Sequence, residues 1–153
     1  MNKTYSISQF ADALNKMSKE VRGTTLRRAA TAGALVIETA AKVSMSAVSH
    51  SGEMYNGHRA SAAGETPAVD TGVLVNSIST WTEKQSRDEI TMGIGSGIIY
   101  AARLEFGFME IDSLGRQYNQ QPRPYMRPAV DNNVNKIEQA ITVTLQREIE
   151  GMI

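Results

Sequence analysis

Residues 100–128 read YAARLEFGFMEIDSLGRQYNQQPRPYMRP, and the rest of the chain is organised around them. The stretch opens as an apolar segment ending in Glu105-Phe106-Gly107. It passes through a polar excursion and returns as Pro122-Arg123-Pro124-Tyr125-Met126-Arg127-Pro128. Three prolines in seven residues fix φ and push each preceding residue towards extended geometry, so this return is not helix interior. Two arginines and a tyrosine on so stiff a rail are held in position, which suits a docking surface. A metal or acid–base centre is a poor fit, because the segment contains neither histidine nor cysteine.

Upstream lies a hairpin pattern. Residues 77–82 read as strand, 85–88 as turn, and 89–94 as its antiparallel partner, with Ile90, Met92 and Ile94 expected to face the core. Trp81, the only tryptophan, is expected as partly buried structure rather than a ligand stack. Gly93, Gly95 and Gly97 resemble a G-x-G phosphate signature only superficially. They follow a hairpin and lack the helix and acidic partner of a dinucleotide site.

Before the hairpin, residues 49–70 hold three glycines, one proline, many small polar residues and both histidines. Their composition predicts a long irregular loop. His50 and His58 stand eight apart, with no third ligand at a recognised spacing, so no metal site is expected. At the loop's end Asp70-Thr71-Gly72-Val73-Leu74 allows two readings. Asp70 caps a short helical turn with Leu74 and Ile78 inward, or Thr71-Gly72 turns into a strand.

Helices flank this centre. From Thr25 to about Val48, the positions Leu26, Ala29/Ala30, Gly33, Val36/Ile37, Ala40, Val43 and Ala47 follow the three-and-four rhythm of a buried face. The face is rich in Ala and Gly. Gly33 costs roughly 1 kcal/mol of helix propensity against Ala, so close packing is its expected reason. Residues 1–22 read as a peripheral helix capped by Ser6 or Ser8, with Phe10, Leu14, Met17 and Val21 inward and Gly23 as its stop. An arm laid on a neighbouring subunit is the alternative for this segment. From Pro128 to Met152 a C-terminal helix is expected, its stripe formed by Val130, Val134, Ile137, Ile141, Leu145 and Ile149.

The order predicts a single α+β domain over residues 1–153. A long helix and a C-terminal helix pack on a small antiparallel β-sheet, and 49–70 and 107–127 form long loops. Formal net charge is zero, so no global electrostatic footprint argues for free nucleic acid. Charge is uneven, however. Residues 1–64 carry eight Lys/Arg against four Asp/Glu, and residues 65–115 three against eight, a split that head-to-tail neighbours can match. The absence of cysteine removes disulfides and thiolate chemistry, a pattern compatible with an intracellular origin. MNKTYSISQF carries no apolar run after its lysine, so no secretory signal is expected. The weakly polar run 29–43, broken by Thr31, Glu38 and Thr39, is too short and polar for a membrane span.

Three segments carry a resemblance. Gly64-Glu65-Thr66-Pro67-Ala68-Val69-Asp70-Thr71-Gly72-Val73-Leu74 followed by Ser77-Ile78, then Tyr100-Ala101 with Leu104-Glu105-Phe106-Gly107, then Arg123-Pro124-Tyr125-Met126-Arg127-Pro128-Ala129, occur in order. Together they resemble the signatures of a bacteriophage tail-component family of tail-completion or neck proteins, over roughly residues 23–150. Phe108 departs from that family's small polar residue after Glu-Phe-Gly. The resemblance implies a non-enzymatic virion protein at the head–tail junction, present in the host cytoplasm during assembly. It also implies a homo-oligomeric ring, a hexamer first among the candidates, with adjacent neck, connector or tail-tube proteins as neighbours. Non-specific contact with packaged DNA is admitted, and no membrane, cofactor or catalytic residue is implied.

The residues read compatibly. Glu105 has no second titratable group at a spacing suited to acid–base work. A bidentate tie from Glu105 to Arg123 or Arg127 is the expected structural role. The two long loops are expected to meet an adjacent subunit or the next ring. The alternative is a nucleic-acid-binding or adaptor module, resting on Arg27, Arg28, Arg123 and Arg127.

Overall fold

The computed structural model describes residues 6–17, 19–47 and 49–151. Helices and small antiparallel ladders make it an α+β protein, as the element order predicts. Among the described residues the strands form three two-stranded ladders instead of one sheet. The chain divides into two compact units, one of Met1–Val36, Thr80–Gly93 and Val134–Ile153, the other of Ile37–Ser79 and Ile94–Asn133.

In the first unit, α1 (Ile7–Lys16) starts with a capping box. Ser6 Oγ accepts the Gln9 N–H at 3.3 Å and Gln9 Oε1 accepts the Ser6 N–H at 2.8 Å, so two orphan donors are satisfied reciprocally. The side chains of Phe10 and Leu14 lie outside those described, and Val21, expected inward, is exposed. The next helix, α2 (Lys19–Ser46), begins earlier than its periodicity suggested. Gly23 is therefore buried helix interior and not a stop, and the expected end at Val48 lies outside the described residues. Arg22 is almost wholly buried, with Nη1 2.7 Å from Asp88 Oδ1 and Nη2 donating to Asn15 O. Arg28 is committed too, to Glu148 at 2.7 Å.

The inward face of α2 differs from the expected one. Ala29, Gly33 and Ala34 are buried, as are Ala41 and Met45 further along, while Val43 and Ala47 are exposed. Small residues all around a helix leave its orientation to the packing partner. For Gly33 that partner is α6 (Val134–Glu150): a Cβ here would come within 2.8 Å of Ile141 Cγ1 and 3.3 Å of Ile137 Cγ2. Of the expected C-terminal stripe Ile149 is buried and Ile137, Ile141 and Leu145 are half-buried, but Val134, and Val130 ahead of α6, are exposed. The chain breaks between them at Asn132 and Asn133, so the expected single C-terminal helix is two, and its expected end at Met152 lies outside the described residues. This unit also holds the turn end of the hairpin β3 (Ile78–Gln85) and β4 (Ile90–Ser96), closed by Ser86 N–H to Glu89 O at 2.8 Å. Trp81 is 45 % exposed and lies across Gly93.

In the second unit, Ala41, Met45, Leu74, Ile78, Ala101, Tyr125 and Ala129 form one buried cluster. Residues 49–70 are not a purely irregular loop. They contain a small hairpin, β1 (Met54–Tyr55) and β2 (His58–Arg59), turned by Asn56 and Gly57 at φ 48° and 80°. Two successive positive φ values are the signature of a tight turn matched to strand twist, and Asn-Gly is its preferred sequence. The rest of the segment is lashed by Glu65, whose carboxylate accepts the Ser51 hydroxyl at 2.5 Å, the Ala62 N–H at 2.9 Å and the Ser51 N–H at 3.1 Å. Residues 107–127 likewise are not a loop but carry a ribbon, β5 (Phe108–Ile111) paired antiparallel with β6 (Gln117–Gln120).

Candidate functional site

All three signature segments lie in the second unit. In the first, Gly72 adopts φ 77° and stands at the N-cap of α3 (Val73–Ser77), with no side-chain cap. Asp70 and Thr71 are exposed and Gly72 holds the N-cap position, so the helical reading of this turn holds but without the cap it gave Asp70. Leu74 and Ile78 are buried, as the helical reading requires.

The second segment forms α4 (Ala101–Phe106), a short helix within the stretch read only as an apolar segment. Six residues are too few for periodicity to announce. Ala101 is buried and Leu104 packs on the core, whereas Tyr100 and Phe106 face outward. Gly107 ends the helix at φ 79°, and a Cβ there would come within 2.8 Å of Gln120 O. Only glycine lets the chain pass this close in that conformation. Phe108, the odd residue after the motif, has Arg103 stacked 4.0 Å from its ring centroid and Tyr118 6.1 Å away.

The third segment enters α5 (Met126–Asp131), and here Glu105 acts. Its Oε2 accepts the N–H of Tyr125 at 2.8 Å and of Met126 at 3.0 Å, and its Oε1 accepts that of Arg127 at 3.0 Å. A helix leaves its first four N–H groups without intrahelical partners. In α5 these belong to Tyr125, Met126, Arg127 and Pro128, and proline has none. One carboxylate therefore satisfies every donor of that turn, and its charge faces the positive end of the helix dipole. The expected ion pairs with Arg123 and Arg127 do not form. A fork of three convergent main-chain N–H groups competes better for both oxygens than a solvated guanidinium does.

Arg123 serves the main chain as well. Its N–H donates to Leu104 O at 2.6 Å, Nε to Ser61 O at 3.1 Å and Nη1 to Gln121 O at 3.4 Å. Pro122 O accepts the Gly64 N–H at 2.9 Å, so the three segments are stitched together. Pro124 is half-buried and Tyr125 is 3 % exposed. Burial first, then the Glu105 charge, raises the Tyr125 phenol above its ordinary pKa. The Arg127 side chain is exposed and has no partner among the described residues.

Two concavities lie beside these segments. One of about 350 Å³ is lined by residues 67–75 with His58, Tyr100, Leu104 and Arg123. The other, about 420 Å³ and mainly apolar, runs between α4 and α5. Among the described residues no group of three or more His, Asp or Glu side chains is placed to hold a metal ion, and no helix is long and apolar enough to cross a membrane. Sequence reading missed Glu65 and Arg22 as organising groups. The Asn56-Gly57 pair was a visible signal for the β1–β2 hairpin, not for Glu65. No protein-family model, curated protein or solved structure matches this chain.

Proposed function

We propose that the chain is a structural subunit of a phage neck, acting in tail completion or head–tail joining as one member of a homo-oligomeric ring. The observation that carries this reading is Glu105. Its carboxylate, which ties the second signature segment to the third, spends both oxygens on the α5 backbone, the role of a framework residue and not of a reagent. The residues of the resemblance accordingly make a frame, Leu74, Ala101, Tyr125 and Ala129 inside it, while Phe106, Tyr100 and Arg127 remain outward for contacts. Large outward apolar side chains on one small unit favour assembly over solitary function.

The nucleic-acid reading is the weaker one, since Arg28 is paired with Glu148 and Arg123 with main-chain carbonyls. Particles made without the chain test the proposal. DNA-filled heads separate from tails, rejoined by adding the purified protein, are expected. Intact infectious particles without it would end the neck reading.

A further inference from the structure

The stretch Pro67-Ala68-Val69-Asp70-Thr71 is held in place without the use of its own main chain. Pro67 is buried and Val69 packs against the core cluster. On one side Thr66 Oγ1 donates to Ser44 O at 3.0 Å, and on the other the Asn76 N–H donates to Gly72 O at 2.9 Å. Between those ties the N–H groups of Ala68, Val69, Asp70 and Thr71 make no hydrogen bond among the described residues. The carbonyls of residues 67–70 accept none either. Folded chains pair such groups with main chain, side chains or water, so an anchored run of them is an edge open to another chain.

The same stretch walls the concavity of about 350 Å³, and Arg123 lines it too. That volume lies near the lower end of ligand pockets, which run from about 300 to 1,000 Å³. Neutral groups pin the half-buried guanidinium there. Nε donates to Ser61 O at 3.1 Å, Nη1 makes a long 3.4 Å contact with Gln121 O, and Nη2 has no partner among the described residues. Carbonyls fix the position of Arg123 and leave its charge uncancelled. Asp70, the carboxylate on the same wall, is exposed and does not pair with it. A guanidinium held this way is ready for a carboxylate, which it meets with parallel N–H groups.

The two features select one kind of occupant. Consecutive unused main-chain donors and acceptors are matched by another main chain laid alongside, as when a peptide adds to an exposed edge. The uncancelled arginine asks that chain for an acidic side chain. Because both features are already fixed by the core, little freedom is lost in meeting them. We infer that this concavity binds an extended peptide segment of a partner protein, which pairs its main chain with residues 68–71 and sets an Asp or Glu side chain on Arg123. The site requires nothing of the neck role, and its failure leaves that reading where it stands.

A library serves as the probe. Random ten-residue peptides displayed on yeast, selected on the purified full-length protein, should share an Asp or Glu at one position. Made synthetically with both ends capped, each should bind about tenfold more weakly when that acid becomes its amide, and similarly when a neighbouring main-chain N–H is methylated. The amide NMR signals of Ala68, Val69, Asp70 and Thr71 should move on binding. Arg123→Gln should remove the preference for the acidic peptide over its amide form. If that variant does not fold, the peptide comparison on the unaltered protein decides alone. Selection of no peptide, of peptides without a shared acid, or of binders that leave those four signals unmoved would overturn the site. Succinate binding as tightly as the peptides would overturn it in favour of a small carboxylate.

Discussion

The carboxylate of Glu105 reaches across twenty residues of sequence to the Tyr125 N–H, 2.8 Å away, and caps a helix on which it does not lie. Glu105→Ala leaves three N–H groups without their acceptor and should cost about 2–3 kcal/mol, with Glu105→Gln losing about half of that. Arg127→Ala should stay within about 0.5 kcal/mol, because its side chain pairs with nothing described. Urea unfolding of the three variants checks the order. A cost for Glu105→Ala that vanishes in an Arg127→Ala background would restore the ion pair and remove the cap.

Trp81 occupies the space a side chain at Gly93 would need: a Cβ there would come within 2.2 Å of its Cε2. Gly93→Ala should displace the indole and destabilise by about 1–3 kcal/mol as overpacking. The chain's single tryptophan makes the readout clean, since its fluorescence should shift to the red. In a Trp81→Ala background the same substitution should be near neutral. Equal costs in both backgrounds would mean the clash lies elsewhere.

Glu65 titrates far below its ordinary 4.5, at about 2, held down first by the Ser51 hydroxyl and then by the N–H groups of Ala62 and Ser51. A depressed carboxylate stabilises the fold fully above its unfolded pKa, and that contribution is lost as pH falls through the folded value. The lashing of the β1–β2 segment should therefore persist at pH 4 and fail as pH approaches 2. Carbon-detected NMR of the Glu65 carboxyl gives the midpoint, and Ser51→Ala should raise it. An unshifted midpoint near 4.5 would show that the lash does not hold in solution.

At Gly33 two effects of similar size oppose each other. Gly33→Ala gains roughly 1 kcal/mol of helix propensity but sets a methyl within 2.8 Å of Ile141, at an overpacking cost of about 1–3 kcal/mol. A net loss is expected from thermal unfolding. Ile141→Val in the same chain should recover part of it by removing Cδ1, which lies 2.9 Å from the same point. A stabilising Gly33→Ala would mean the α2–α6 spacing is looser than described.

The long helices were legible because α2 and α6 repeat apolar residues over many turns. Which face of α2 turns inward was not, because Ala and Gly occur all around it and Met45 was no better marked than Val43. The β5–β6 ribbon was hidden for a related reason. Its partner strand QYNQ is polar, and its apolar positions Met109 and Ile111 point away from the unit's own core. The α5–α6 break has no proline or glycine to signal it, only Asn132 and Asn133, whose amide Nδ2 bonds back to Ala129 O. Glu105 was recognisable as structural, yet its partners were not. Side chains are written in a sequence and free main-chain donors are not, so the carboxylate was matched to the arginines of the proline-rich return.

The base of the ribbon is pinned from several sides, by Leu104 O on the Arg123 N–H, by Pro122 O on the Gly64 N–H and by Glu105 on α5. Its tip closes on itself through Asp112. Residues between these two closures owe little to the stability of the unit that bears them, so mutation there should cost folding little. Related chains should therefore diverge fastest at Met109, Glu110, Ile111, Gln117 and Asn119 while the pinning residues and Asp112 stay fixed. Grafting one such tip onto another's base should leave the thermal unfolding of the unit that bears it nearly unchanged.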